Sequence, residues 1–384
     1  MRPNRVFRQR FAAIQGATIV TGYDVVTCER CGFAYADGLP SQHAFDEYYS
    51  AASKYEYHQR DGEESAFDRV RMSDIADMVI PLIPSPDAHI LDIGCATGRL
   101  LYLLKERGFA NVAGLDPSPA CAEAARRLYG VRVLRGSMTE FPELDAPSDV
   151  VILIGVLEHI RDLDSAMRRI RSVVAESGVV YVEVPNAIDF DRWPNAPFQD
   201  FSIEHINFFS PISLENLFAR YGFQPTFWKE HAREQSYRTT MSCLSAAFQV
   251  AANAPGTFRY DEDARPALER YVKQCEAEEN RLRTFIEQLV ESQTPVIVWG
   301  VGTNATRLLE TTRLAEANIE FFVDSNSRYH GKELAGRRVE PPGAINETSA
   351  PVLILSRVFQ SEIAEQISKL ATPNREILTL YELS

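Results

Sequence analysis

Asp92, Gly94 and Gly98 stand in Ile90-Leu-Asp-Ile-Gly-Cys-Ala-Thr-Gly98, an apolar run that ends in an acid and then turns through two glycines. A strand, a tight glycine turn and a helix start in succession would offer open backbone amides beside a carboxylate. The spacing, an acid followed by G-x-x-x-G, is not the G-x-G-x-x-G of dinucleotide sites. A pyrophosphate wants bare N–H groups and no negative charge close by. An acid ahead of the turn suits a ligand with a cationic amino-acid end, such as S-adenosylmethionine (SAM). Thr97 belongs to the same turn, and so does Cys95, which also reads as a small packing residue.

Further candidates follow at the ends of later apolar runs. Asp116, in Gly114-Leu-Asp-Pro-Ser118, lies about 20 residues past the turn, where a carboxylate meets the ribose hydroxyls of an adenosine. Arg135-Gly-Ser137-Met138 offers a polar-then-apolar pair to bound an adenine ring. Gly155 opens Gly155-Val-Leu-Glu-His159-Ile160. A polar dyad, Glu204-His205, is embedded among aromatics in Phe201-Ser-Ile-Glu-His-Ile-Asn-Phe-Phe-Ser210. Methyl transfer to a hydroxyl or an acidic C–H gains roughly 10²–10⁴-fold from a general base, and histidine titrates near neutrality. His205 could supply such a base, and the adjacent Glu204 could orient the ring or raise its basicity. His159, in a second Glu-His-Ile triplet, competes for that role.

These residues need strands that end together. From His89 to Val184, short apolar runs alternate with helical patterns, starting with a helical stretch over 65–83. The alternation predicts an α/β fold, a parallel sheet with crossover helices on both faces. In such a sheet ligands sit outside the carboxyl ends of the strands. A second α/β unit starts at Pro295, with Gly300-x-Gly302-x-x-Ala305 and Asp324 beyond the next strand. That turn does match the dinucleotide fingerprint. Between the units, a polar linker precedes an amphipathic helix over about 264–292, interrupted by Glu278 and Glu279. It reads as a packing helix or a dimer seam. The expected division is a small knuckle-type module over 1–60, a SAM-binding domain over 61–252, a linker and long helix over 253–293, and a Rossmann-like domain over 294–384.

The chain has 384 residues and a net charge of −13, with no long basic run, so neither nucleic acid nor an anionic membrane is an expected partner. No apolar stretch is long enough for a membrane span. Six scattered cysteines make no disulfide framework, which points to a reducing, cytoplasmic setting. Cys28-x-x-Cys31 supplies two thiols of the four ligands a structural zinc needs; His43 and His58 are the only nearby additions. Tyr48, Tyr49, Tyr55 and Tyr57 cluster ahead of the SAM-type domain, as a cap or as ordinary packing.

The landmarks Leu91-Asp-Ile-Gly-Cys-Ala-Thr-Gly98, Gly114-Leu-Asp116 and Val156-Leu-Glu-His159 resemble, in order, those of class I SAM-dependent methyltransferases. Over nearly its full length the chain resembles the three-part C-methyltransferases that act on nucleotide-linked keto-sugars. That resemblance implies a zinc-type N-terminal module, a central SAM domain and a C-terminal Rossmann-like domain that walls the acceptor site. The family's Tyr-His-Glu-His-x-x-Tyr-Phe-Ser motif falls on Ser202-Ile-Glu-His205-Ile-Asn-Phe-Phe-Ser210. It implies His205 as base, assisted by Glu204. Ser202 and Ile203 depart from the motif, and Arg2 and Arg5 stand where an earlier Cys pair would be. The expected substrate is a small, nucleotide-linked sugar, methylated on carbon. The alternative is O-methylation of a polysaccharide-precursor sugar or a secondary metabolite, by a monomer or homodimer. A redox enzyme using the C-terminal fingerprint and a non-enzymatic binding module are the rivals from other classes.

Overall fold

Runs such as Ile90–Ile93 are apolar throughout and buried on both faces, as a central parallel strand must be. The computed structural model describes residues 3–51 (the side chains of 49–51 apart), 64–138, 141–144, 146–193, 195–251, 258–371 and 375–381. The chain opens with β1 (Asn4–Arg10), β2 (Gly22–Thr27), β3 (Ala34–Asp37) and helix α1 (Gln42–Ala51). Helix α2 (Ala66–Val79) is capped by Ser65, whose hydroxyl accepts from the Asp68 amide. Then come β4 (Ile90–Ile93), α3 (Arg99–Glu106), β5 (Val112–Asp116), α4 (Pro119–Tyr129), β6 (Val133–Arg135), β7 (Ser148–Ile154), α5 (Leu163–Val173) and β8 (Val174–Pro185). A short β9 (Asn207–Phe208), α6 (Pro211–Arg220), β10 (Phe223–Ser236) and β11 (Thr239–Val250) complete this part.

The central sheet runs β10-β11-β8-β7-β4-β5-β6. Strands β4 to β8 are mutually parallel. They match the parallel sheet expected over residues 89–184, and β11, antiparallel to both β8 and β10, makes the whole sheet mixed. The reason is local. Tyr237 and Arg238 reverse the chain in two residues, with Arg238 at φ 61°, and a two-residue hairpin returns its strand antiparallel. β5 and β7 flank β4 on opposite sides, which makes a topological switch point and opens a crevice beyond their carboxyl ends. Asp92 lies there, in register with Gly114 and Ile152.

The pattern over Tyr23–Thr27 reads as a strand and is β2, while the rest of residues 1–60 reads as irregular; the N-terminal strands form a second sheet, β1-β2-β3-β9. Its fourth strand comes from far along the chain: Phe208 pairs with Ala34 and Asn207 with Tyr35. A third sheet follows helix α7 (Ala264–Ser292): β12 (Val296–Trp299), α8 (Thr303–Thr311), β13 (Ile319–Val323), β14 (Glu333–Leu334), β15 (Arg337–Glu340), β16 (Val352–Ile354), α9 (Gln360–Leu370) and β17 (Ile377–Thr379). Its order is β14-β15-β13-β12-β16-β17, and only β14 runs against the rest. No helix among the described residues is long and apolar enough to cross a membrane.

Helix α7 joins two cores. Leu268, Tyr271 and Cys275 pack with the N-terminal sheet and the 187–208 loop. Ile286, Leu289 and Val290 pack with the third sheet. Glu279, an interruption in the apolar stripe, accepts from Arg307 of α8 at 2.6 Å, both side chains being 5% exposed. Arg307 also donates to Gln9 of β1 at 2.5 Å and lies 3.8 Å over the Phe198 ring. Breaking a buried pair strands a charge. Glu279→Ala is expected to cost about 3–5 kcal/mol, read as a lower urea midpoint. Replacing both partners with Leu should cost less than Glu279→Ala alone.

Candidate active site

The glycine turn is built differently from an anion cradle. Gly94 and Cys95 donate their amides to the Leu115 carbonyl at 2.7 and 3.2 Å, and Gly98 donates to Cys95 at 2.9 Å. The Ala96 amide goes to the Asp116 carboxylate at 3.0 Å. The open amides expected from the sequence are thus spent inside the turn, because the end of β5 lies directly alongside. What the crevice presents instead is acid. Its lining includes the acids Glu64, Asp68 and Asp92, with Gly94, Thr97 and Ile154, and two arginines, Arg71 and Arg99. Asp92 is 3% exposed. Burial, reinforced by the charge of Asp116, pushes its carboxyl well above the usual range. Two buried carboxylates in electrostatic contact favour a positively charged guest, and this is the observation by which the pocket fits a sulfonium ligand with an ammonium end.

Asp116 also accepts from its own Ser118 amide at 2.9 Å. Thr97 donates its hydroxyl to Glu64 at 2.7 Å, so the segment ahead of α2 closes on the turn. Cys95 lines the crevice, and its thiol is buried beside Gly114. Ser137 and Met138 follow β6, next to the Asp116 carbonyl that accepts from Gly136 at 3.1 Å. Met138 packs into the central core. Gly155 ends β7, its amide donating to the Glu183 carbonyl at 2.9 Å.

A second group of residues gathers at the same strand ends. After β7, a 3-10 turn over Leu157–His159 holds Glu158 at 3% exposure. The Glu204-His205 loop is fastened to it: Ile206 donates to the Glu158 carbonyl at 2.8 Å. Asn207 donates to the carbonyls of Leu157 and Ile160 at 2.9 and 2.7 Å. His159 and His205 meet edge to face, ring centres 4.9 Å apart. The two histidines that competed as candidates therefore share one site. His159 Nδ1 lies 3.1 Å from the Glu204 carbonyl. Tyr48 of α1 donates its hydroxyl to Glu204 Oε1 at 3.0 Å. Burial and the Glu204 charge push that phenol well up, so it stays a donor. Ser202 accepts from the amides of Glu204 and His205 at 3.2 and 3.0 Å, and its carbonyl accepts from Tyr23 at 2.7 Å.

The profile described as "Methyltransferase domain" matches residues 66–226. The chain is a SAM-dependent methyltransferase. A second profile, "C2185-like, N-terminal", matches residues 292–378. The methyltransferase is 23% identical over 359 residues to the C-methyltransferase NovU of Streptomyces niveus, covering 89% of this chain and 82% of that one. It is 34% identical over 115 residues to a tRNA U34 carboxymethyltransferase of Shewanella pealeana, of whose length it spans 34%. Among solved structures it is similar to the magnesium protoporphyrin IX methyltransferase of Synechocystis PCC 6803 with bound S-adenosylhomocysteine. That likeness has a TM-score of 0.42 and 12% identity, and it covers 55% of this chain and all of that one. The central sheet is an α/β Rossmann-like methyltransferase fold.

Several residues of the methyltransferase's crevice carried no sequence signal. Arg71 of α2 pairs with the buried Glu183 of β8 at 3.2 Å, and Arg233 and Ser245 of the β10–β11 hairpin reach the same carboxylate. Arg328 places its guanidinium 4.7 Å over the Tyr48 ring. These contacts span elements far apart in sequence. Tyr55, Tyr57 and His58, and the Tyr49 side chain, lie outside the described residues.

Gly94 has a φ of 76°, and a Cβ added there would stand 2.6 Å from Val156 Cγ2. Gly94→Ala is therefore expected to introduce about 1–3 kcal/mol of backbone strain and to displace Val156. The expected result is weaker SAM binding by calorimetry together with a lower melting temperature.

The third sheet repeats the clamp at the end of β5. Asp324 accepts from the Val301 amide at 2.9 Å and from Asn326 at 2.8 Å, as Asp116 does from Ala96 and Ser118. Cys28 and Cys31 form a knuckle between β2 and β3, closed by amides at 2.9 and 2.8 Å. Burial pushes the Cys31 thiol up to about 11. Among the described residues no His, Cys, Asp or Glu joins the pair as a third ligand. His43 is 82% exposed and faces Glu47. Two thiols do not fit the four-ligand requirement of structural zinc.

Proposed function

We propose that this enzyme methylates a small, nucleotide-linked sugar, on the carbon next to a ketone, with His205 as general base. The single observation behind the base is the fastening of the Glu204-His205 loop over the carboxyl ends of β7 and β8, beside the acid-lined crevice. The motif shared with nucleotide-sugar C-methyltransferases supports the acceptor class. So does the long alignment with a protein named as a C-methyltransferase.

In this reading Asp116 holds the ribose hydroxyls, and Asp92 with Glu64 faces the cationic amino-acid end. Gly94, Cys95, Thr97, Gly98, Ser137, Met138 and Gly155 shape the rest of the donor pocket. SAM supplies a methyl group as an electrophile. His205 takes the acceptor proton and leaves an electron pair on the acceptor carbon. The Glu204 carboxylate, oriented by Tyr48, stabilises the charge on the imidazole. We read the third sheet as a Rossmann-like wall to the acceptor site, reached through Arg328.

The test is transfer of labelled methyl from SAM to a panel of nucleotide keto-sugars, followed by NMR. Label on carbon supports the reading. Label on oxygen would replace it with O-methylation, and no transfer to any sugar would remove the acceptor class.

A further inference from the structure

Glu158, His159 and His205 carry a donor set that proton abstraction alone does not use. One carboxylate oxygen and one nitrogen from each ring all lie within 4.8 Å of one another. His159 Nδ1 is 3.1 Å from the Glu204 carbonyl, which can only accept, so Nδ1 carries a hydrogen and the neutral ring offers its lone pair at Nε2. Nε2 lies 3.9 Å from Glu158 Oε1. A cation held at about 2.0–2.2 Å from each donor at near-tetrahedral angles sets the donors about 3.3–3.6 Å apart. Side-chain rotations would draw the three donors in to that spacing. An imidazole whose far N–H is tied to a backbone carbonyl is also the arrangement that orients a metal-binding histidine.

We propose that these three residues form a site for a borderline divalent cation, zinc first among them, that competes with the acceptor. Two imidazoles and one carboxylate suit zinc, cobalt or nickel, while magnesium and calcium prefer oxygen-only sets. The position of a Cβ on Gly155 lies 3.5 Å from Glu158 Oε1 and 3.9 Å from Arg71 Nη2. The nearby guanidinium opposes a second cation and weakens its binding. A metal here occupies the His205 lone pair that would take the acceptor proton. Turnover falls reversibly, and SAM binding does not change. The competition, though not the binding, rests on the assignment of His205 as base.

The experiment uses full-length protein carrying Cys28→Ser and Cys31→Ser, stripped with a chelator and titrated with Co²⁺. One equivalent is expected to give a saturable visible absorption band, lost on adding His159→Ala and, independently, His205→Gln. SAM calorimetry on each variant reports folding. No saturable band, or a band that survives both replacements, overturns the site. With the unsubstituted enzyme, zinc should raise the apparent acceptor KM and chelator should restore it. A cobalt band without zinc inhibition overturns the competition alone. The base assignment fails separately, if metal-free His205→Gln turns over normally.

Discussion

Replacing His205 by Gln is expected to lower turnover by about 10²–10⁴-fold while leaving the SAM dissociation constant within about tenfold. Gln keeps a polar side chain of similar reach, and the backbone amide of residue 205 still donates to Ser202. The loop should therefore stay where it is. What disappears is the lone pair that accepts the proton, and with it the limb of the pH–rate profile that belongs to this imidazole. His159→Gln should reduce turnover less, because it acts through its contact with His205 and with the loop carbonyl. Single-turnover rates at saturating SAM, measured across pH, distinguish the two. Full activity in His205→Gln would move the base elsewhere.

Asp116→Ala should weaken SAM binding by about 100-fold or more. A hydrogen bond to a charged group contributes roughly 1.5–3 kcal/mol, and each 1.4 kcal/mol is tenfold in affinity. Part of the loss would come from the turn itself, since the carboxylate also fixes the Ala96 and Ser118 amides. The third sheet supplies the control. Asp324→Ala removes the same kind of clamp from Val301 and Asn326, so it should lower stability and leave SAM affinity alone. Calorimetry on both variants checks this. Equal SAM affinity in the two would mean that Asp116 only braces the fold.

The glycine-turn side of the crevice was legible because its residues lie close together along the chain. Asp92, the glycine turn and Asp116 follow one another on adjacent parallel strands, and helix α7 appeared at its full length, Ala264–Ser292. The group around Glu204 and His205 was legible only in part. Tyr48 and Arg328 join it from separate elements, and no spacing rule relates them. The parallel reading of residues 89–184 did not extend to β10 and β11, whose two-residue connection decides their direction. Strands β1 and β9 were missed for different reasons. β1 is mostly exposed or half-buried, so its alternation is faint, and β9 is two residues long. Glu279 shows the reverse error. It looked like a flaw in an apolar stripe, and it is the acid that neutralises Arg307.

Strand β9 carries a lesson for anyone redesigning acceptor choice. Because Asn207 and Phe208 are stitched to Tyr35 and Ala34, and Tyr48 hooks Glu204, the reactive loop has its footing in the first fifty residues. Chimeras that exchange the loop alone would leave it docked on a foreign base. A graft that transfers residues 22–48 together with 201–210 moves the loop and its mooring as one unit.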